Sequence, residues 1–365
     1  MIRLSKSVIG KEEVSAVTNV LKKGFLGMGE EVQQFEQLLS DRFCRPVICV
    51  NTGTAALQLA LQGCGIGVGD EVLVQSLTYL ASFQAISASG ASPIACEVNT
   101  ENLTIDLGDA QKRLTKQTKA IMPVHYSGNP GDLDAIYSFA KKNNLRVIED
   151  AAHAFGSLYK NKQIGSFGDI CCFSFDGIKN ITSGEGGAII TNDQSVIDRV
   201  KDLRLLSVSK DSDNRYKNQR SWDFDVVEQG WRYHMSNIMA AIGIEQLKKF
   251  NSFQEKRKVL SSLYKQFLSG VSGIELLHID YTEITPHIFV IKVKSGRRDL
   301  LKIGLENCGI QTGMHYKPNH LLKYYSSNSL PLTEKLYNEI LTLPLHPDLM
   351  ESDIAFICEK IKNIL

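Results

Sequence analysis

From about residue 45 to residue 205 the chain alternates short apolar runs with segments of helical period, and this alternation limits the fold more than any other feature. The apolar runs lie at 47–50, 71–75, 93–97, 119–124, 145–149, 169–174 and 188–191. Between them, residues 55–61, 79–88 and 132–142 carry apolar side chains at helical spacing. Strands that alternate with helices predict an α/β fold with a mostly parallel sheet covered on both faces. The run at 170–175 is apolar almost throughout, as the buried middle of such a sheet requires.

The pattern changes after Ser207. Residues 209–221 are polar and lysine-rich and read as an exposed loop. A long helical pattern then spans 236–268, with Ala240, Ile244, Leu247 and Phe250 on one stripe. Beyond Gly273 a smaller α/β unit is expected, with a strand at 287–293, a helix at 298–307 and a final helix at 351–364. At 365 residues the chain exceeds the size at which one core keeps growing. Two domains are therefore expected, 1–250 (amino-terminal segment included) and 251–365, divided inside the long helix.

Charge and cysteine usage narrow the function. Lys and Arg number 41 against 40 Asp and Glu, spread along the chain, so no one-signed surface for nucleic acid or membrane is indicated. Residues 1–10 are polar and lack the apolar run of a signal peptide or an anchor. The eight cysteines show no paired metal spacing and sit mostly in apolar segments, as Cys96, Cys171 and Cys172 do, so reduced buried thiols in the cytoplasm are expected.

Three strand ends carry chemistry. An apolar strand delivers Asp150 into small residues, at the sheet edge where open parallel sheets bind ligands, though Asp also caps helices there. A second strand ends in Ser174, followed by Lys179 and the glycine-rich stretch 184–187. A lysine desolvated in such a loop loses its charge, and only the neutral amine attacks a carbonyl. A lysine taken alone is ordinarily a surface residue. A third strand runs into Asn51-Thr52-Gly53-Thr54, where the unpartnered first amides of a helix make an anion site. That turn lacks the Lys of a nucleoside-triphosphate loop and the spaced glycines of a dinucleotide fingerprint, so a phosphate monoester suits it better. Pyridoxal 5'-phosphate needs all three together: a lysine for its aldehyde, a carboxylate for its ring nitrogen and a cup for its phosphate.

The chain resembles the DegT-type sugar-nucleotide aminotransferases of the aspartate-aminotransferase-like superfamily. The likeness runs through the turn at 51–54, GIGVGDEVLV at 65–74, PVHYSG at 123–128, EDAAHAFG at 149–156, GSFGDICCFSF at 165–175, Lys179, 185–187, 235–243 and TGMHYKP at 312–318. It implies fold type I: a large domain with a seven-stranded, mostly parallel sheet and a smaller carboxyl-terminal α/β domain. It further implies Lys179 as the cofactor-bearing lysine and proton carrier, Asp150 on the pyridine nitrogen, and Gly53, Thr54 and Ser174 on the phosphate. Tyr79 would stack on the ring and His153 would lie near the ring hydroxyl, where the family often has Gln. His234 stands where the family commonly supplies Asn to the neighbouring subunit's phosphate. Glu185, His315, Tyr316 and His320 fall on the sugar-nucleotide side. His315 and His320 could otherwise suggest a metal, but no carboxylate cluster accompanies them.

The stretch GIKNITSGEGG at 177–187 resembles members that aminate carbon 4 of a 4-keto-6-deoxy sugar nucleotide, and most of all those making dTDP-4-amino-4,6-dideoxyglucose (viosamine). Carbon-3 enzymes more often carry G-K-N-L-G-x-x-G-D-G-G. The resemblance thus implies L-glutamate as donor, a nucleotide-linked keto sugar as acceptor, a homodimer with shared sites, and a role in deoxyamino sugar and O-antigen or lipopolysaccharide biosynthesis. A sugar dehydratase would carry His in place of Lys179. A cofactor-binding sensor without turnover could dispense with Asp150 or Lys179, and a cysteine desulfurase would need a mobile catalytic cysteine.

Overall fold

The computed structural model describes residues 1–220 and 222–365. Two helices lead, α1 (Lys11–Lys23) and α2 (Glu30–Phe43). The alternating region follows as β1 (Val47–Val50), α3 (Gly53–Gly63), β2 (Glu71–Gln75), α4 (Leu80–Ala88), β3 (Ser92–Cys96), α5 (Leu107–Arg113), β4 (Thr118–Met122), α6 (Leu133–Lys142) and β5 (Arg146–Asp150). A short hairpin of β6 (Leu158–Tyr159) and β7 (Lys162–Gln163) precedes β8 (Ile170–Ser174) and β9 (Gly187–Thr191). Helices α7 (Gln194–Leu203) and α8 (Asp211–Tyr216) come next.

All seven expected strands enter one sheet, in the order β1-β9-β8-β5-β4-β2-β3. Strand β9 runs antiparallel to both neighbours and every other pairing is parallel. Successive strand residues point to opposite faces, and the cores follow that period. Cys49, Leu73, Ile121, Val147, Cys171 and Phe173 join the core beneath α2 and α6. Ile48, Val50, Val72, Val74, Ile148, Ile170 and Cys172 join the core beneath α3, α4 and α7. A sheet buried on both faces explains why its strands read as continuous apolar runs rather than as alternation.

Helix α9 (Asn237–Leu268) then spans 32 residues, about 48 Å at about 1.5 Å per residue. Its Ala240, Ile244 and Phe250 belong to one large core, and its Leu260, Tyr264 and Leu268 to a third core. That third core fills a smaller unit of β10 (Ile274–Leu276), β11 (Phe289–Val293), α10 (Arg298–Asn307), α11 (Pro331–Glu339), β12 (Ile340–Leu343) and α12 (Glu351–Ile364). Its strands form an antiparallel sheet with β11 in the middle. The amino terminus also reaches this unit. Ile2 N donates to Gly309 O at 2.8 Å, and Gln311 N donates back to Ile2 O at 3.0 Å. Leu4 N donates to Gln311 Oε1 at 3.3 Å, across 307 residues of chain.

The expected exposed loop at 209–221 is corrected in part, residue 221 lying outside the described residues. Helix α8 occupies its middle because Tyr216 has an interior role. The Tyr216 hydroxyl accepts from Arg204 Nη2 at 2.7 Å and donates to Glu36. The fully buried Arg204 also holds Glu36 Oε1 at 2.6 Å and Cys49 O at 2.7 Å, which ties α2, β1 and α8 together. A buried guanidinium needs partners of this kind, whatever the polarity of the surrounding text. Among the described residues no helix is long and apolar enough to cross a membrane.

Candidate active site

The carboxyl ends of β1, β5 and β8 converge on a cavity of ≈ 490 Å³. Its lining includes Gly53, Thr54, Tyr79, Asp150, His153, Ser174, Lys179, Glu185, His315 and Tyr316. Ten of the twelve residues singled out from the sequence are thus brought together, because parallel strands present their carboxyl ends on one edge.

At the first strand end, Thr52 caps α3 by accepting from Ala55 N at 3.0 Å, which leaves the amides of Gly53 and Thr54 without intrahelical acceptors. Close approach demands glycine here. A Cβ on Gly53 would lie 2.7 Å from Ser174 Cβ and 3.0 Å from its Oγ. The helix end, the Ser174 hydroxyl and the missing side chain together form a cradle for a small anion.

At the second strand end, Asp150 is only 5% exposed. Its Oδ2 accepts from Ser82 Oγ at 2.7 Å and its Oδ1 from Ala152 N at 3.2 Å. Thr78 Oγ1 in turn stands 3.0 Å from Ser82 Oγ. A buried carboxylate fixed from two sides holds its orientation and can accept from a protonated ring nitrogen.

Lys179 follows the third strand end. Its backbone N donates to Asp176 O at 3.1 Å, and the next residue pins the loop, Asn180 Nδ2 donating to Phe155 O at 3.1 Å and Thr285 O at 3.2 Å. Burial lowers the amine to about 8, against the opposing pull of the Asp176 and Asp150 carboxylates. It makes no ion pair within 4.0 Å among the described residues. A lysine desolvated to this degree keeps a useful fraction of nucleophilic amine near neutral pH.

Around it the imidazoles are neutral. Burial, then the Lys179 charge, holds His153 well below its usual range, and the same two causes take His315 down to about 4. His153 Nδ1 accepts from Ser127 N at 3.4 Å, and its Nε2 lies 3.0 Å from the Tyr316 hydroxyl. His315 Nδ1 lies 2.9 Å from Thr342 Oγ1. Tyr79 is 61% exposed at the mouth, its ring centroid 5.5 Å from that of Tyr316. Burial, then Asp176, raises the Glu185 carboxyl.

Two residues stand apart. His320 does not line the cavity, since its Nδ1 lies 2.8 Å from Ser76 Oγ and its Nε2 3.1 Å from Glu334 Oε1. His234 is paired across from Val50 and does not line this cavity either; burial and three nearby arginines lower it to about 4. Sequence reading missed Ser82, Asp176 and Asn180. Ser82 lies in the first turn of α4, three residues past Tyr79. Asp176 is set between the serine and the lysine, and that spacing was the available signal. Cys172 lines the cavity too, but it sits on buried β8 rather than in a loop, and burial pushes its thiol well up.

The donor set suits pyridoxal phosphate: a partly desolvated amine, a fixed carboxylate and an anion cradle share one cavity whose single lysine is the only cationic side chain among its described lining residues. With the sheet order above, this places the chain in the class of fold-type-I enzymes that use that cofactor. The family follows from comparison: residues 7–362 match the DegT/DnrJ/EryC1/StrS aminotransferase family, and the chain belongs to it. It is 34% identical to the spore coat polysaccharide biosynthesis protein SpsC of Bacillus subtilis (strain 168), over 99% of this chain and 96% of that one. Among solved structures it resembles the putative sugar aminotransferase Spr1654 from Streptococcus pneumoniae in its PMP-form, with TM-score 0.93 and 29% identity over 100% of this chain and 97% of the other. It also resembles Helicobacter pylori PseC, an aminotransferase involved in the biosynthesis of pseudoaminic acid, with TM-score 0.91 and 26% identity over 100% and 98%. The chain is a sugar aminotransferase, and its cofactor is pyridoxal phosphate.

Proposed function

We propose that the enzyme moves an amino group from L-glutamate to carbon 4 of a nucleotide-linked 4-keto-6-deoxy sugar, with dTDP as the nucleotide, yielding 2-oxoglutarate and a 4-amino-4,6-dideoxy sugar nucleotide. The observation that carries this reading is the meeting of a Lys179 amine lowered to about 8, the fixed Asp150 carboxylate and the α3 amino terminus in one cavity of a sugar aminotransferase. Carbon 4 is supported by the resemblance of residues 177–187 to carbon-4 enzymes.

In this reading the amides of Gly53 and Thr54 and the Ser174 hydroxyl would hold the phosphate, and Asp150 would keep the ring nitrogen protonated. Tyr79 would lie against the ring and His153 near its hydroxyl. Pyridoxal phosphate, when bound, supplies the electron sink for the bond broken at the substrate's α carbon. Lys179, its amine lowered to about 8 by burial, would serve as the base that carries the proton from that carbon. Glu185, His315 and Tyr316 face the sugar. His320 acts from behind, since Ser76 and Glu334 anchor it beside the segment that carries Tyr316. His234 of the partner subunit completes the phosphate site, which makes the working form a homodimer. Each chain divides into a cofactor domain, 1–250, and a smaller domain, 251–365. The enzyme works in the cytoplasm, and its product serves a surface polysaccharide such as an O antigen; the likeness to a spore coat polysaccharide protein supports that destination.

The test is a half-reaction. The purified enzyme is converted with L-glutamate to its amino form, freed of donor, and mixed with a panel of dTDP-, UDP- and GDP-linked keto sugars while the cofactor's visible absorption is followed. Return of the band with dTDP-4-keto-6-deoxyglucose, with a 4-amino product by mass spectrometry, is expected. Return only with a 3-keto sugar would move the amination to carbon 3. Silence across the panel, with the glutamate half-reaction intact, would reject a sugar of this kind as acceptor.

A further inference from the structure

A second hollow, of ≈ 370 Å³, lies between the amino-terminal segment and the turn that joins β12 to α12. Ile2, Arg3, Lys6, His346, Asp348 and Asp353 line it, and none of its lining residues lines the catalytic cavity. Main-chain pairing lays the segment down. Ile2 exchanges bonds with Gly309 and Gln311, and Leu345 N donates to Leu4 O at 3.1 Å. His346 is the unusual member of the wall. It is only 5% exposed, yet neither ring nitrogen meets a hydrogen-bond partner among the described residues. The Arg3 main chain favours the charged ring but falls short of hydrogen-bond geometry. Buried polar atoms are ordinarily satisfied, so a side chain with both nitrogens unpaired at a cavity wall points to a group that comes from outside.

The surrounding charges give the sign of that group. Burial, then the Arg257 charge, holds the His346 ring below its usual range; Asp348 pulls the other way and Lys6 adds to the fall. The neutral ring therefore offers one N–H. Arg257 of α9 stands behind it, fully buried, and donates to His287 O at 3.0 Å and Leu345 O at 3.2 Å without a carboxylate to balance it. The two acids of the hollow are already engaged. Asp348 pairs with Lys6, and Asp353 Oδ2 accepts from Met350 N at 2.8 Å at the start of α12. Arg3 is exposed and pairs with no acid among the described residues. We propose that this hollow is a second ligand site, which takes a small oxyanion, phosphate or carboxylate, between the Arg3 guanidinium and an N–H of His346. The planar fork of arginine matches the paired oxygens of either group. Capture would fasten the amino-terminal segment to the β12–α12 turn.

The experiment uses the enzyme loaded with pyridoxal phosphate, so that the cradle at Gly53 and Ser174 is filled. It is titrated with inorganic phosphate and, separately, with succinate by isothermal titration calorimetry. Chloride at about 0.15 M screens unspecific attraction to surface charges. Hydrogen exchange on the same samples locates the anion: peptides covering 2–7 and 345–350 should exchange more slowly when it is bound. His346→Phe should weaken binding about 10-fold or more, as loss of a hydrogen bond to a charged group does. Arg3→Gln should weaken it to a similar degree, and because Arg3 is exposed this variant tests the site without disturbing the core. Lys6→Gln should cost less, since Asp348 already holds Lys6. Tighter binding of phosphate than of succinate assigns the site to a phosphate group, and the reverse order to a carboxylate. The proposal is overturned if neither probe binds, if protection falls in the catalytic cavity alone, or if Arg3→Gln and His346→Phe leave the affinity unchanged. No sugar substrate enters the test, so its failure leaves the assignment of the acceptor untouched.

Discussion

The Lys179 amine offers the most direct quantitative test. With its midpoint at about 8, about one-tenth of the amine is neutral at pH 7, whereas an ordinary lysine near 10.4 would be neutral in only a few parts in ten thousand. The apoprotein should therefore capture pyridoxal phosphate some hundreds of times faster at pH 7 than an unperturbed lysine could, because only the neutral amine attacks the aldehyde. The sign is fixed by the chemistry: capture is slow where the amine is protonated, rises through pH 8 and levels above it. Asp176 is the first of the carboxylates that oppose the shift, so Asp176→Asn removes support for the ammonium and moves the midpoint to lower pH. Stopped-flow absorption across pH 6 to about 10.5 gives the profile, and borohydride trapping with peptide mass spectrometry locates the attachment. A profile still climbing at pH 10, or a midpoint raised by Asp176→Asn, would refute the account of burial against two carboxylates.

Other perturbations address the remaining anchors. Gly53→Ala puts a methyl group 2.7 Å from Ser174 Cβ, so it should raise the Kd for pyridoxal phosphate by tenfold or more while circular dichroism stays that of the wild type. Asp150→Ala should weaken cofactor binding and cut turnover by about 10²-fold or more, as removal of a preorganised charge does; a near-normal rate would mean that another group holds the ring nitrogen. Glu36→Gln strips the buried Arg204 of its carboxylate and should lower stability in urea by about 3–5 kcal/mol, without a specific effect on cofactor affinity in the folded fraction.

The large sheet was legible because each of its strands is buried on both faces and reads as an unbroken apolar run between turn signals. Strand β1 and β2 were placed to the residue, and the others shifted by one or two positions at their ends, where pairing rather than composition decides. The long helix was legible from its stripe through Ala240, Ile244 and Phe250. Helices α1 and α2 were not, since both are largely polar and are fixed by tertiary contacts, as where Glu13 meets Lys249 and Gln246. Helix α8 was hidden for the same reason: Tyr216 carries its anchor, and nothing in the polar text around it announces a buried arginine. Of the site, the strand-end residues could be read because topology alone brings them together. Ser82 could not, because its role lies in a 2.7 Å contact with a residue 68 positions away. The placing of His320 could not be read for the converse reason: it lies four residues beyond Tyr316 of the cavity wall, while its ring turns to Ser76 and Glu334.

The stitching of Ile2 and Leu4 to residues 309–311 bears on how the chain assembles. During synthesis Ile2 and Leu4 must wait for more than 300 later residues before their partners exist. The large sheet can close meanwhile, since its strands all lie before residue 192 and domains generally fold as units during synthesis. This seam therefore forms only after every strand of the large sheet has been made. Contacts this distant in sequence are among the slowest to form. A release of the first five residues should leave the great sheet standing while it loosens the edge of the smaller unit, so the order of synthesis is written into which part of the molecule frays first.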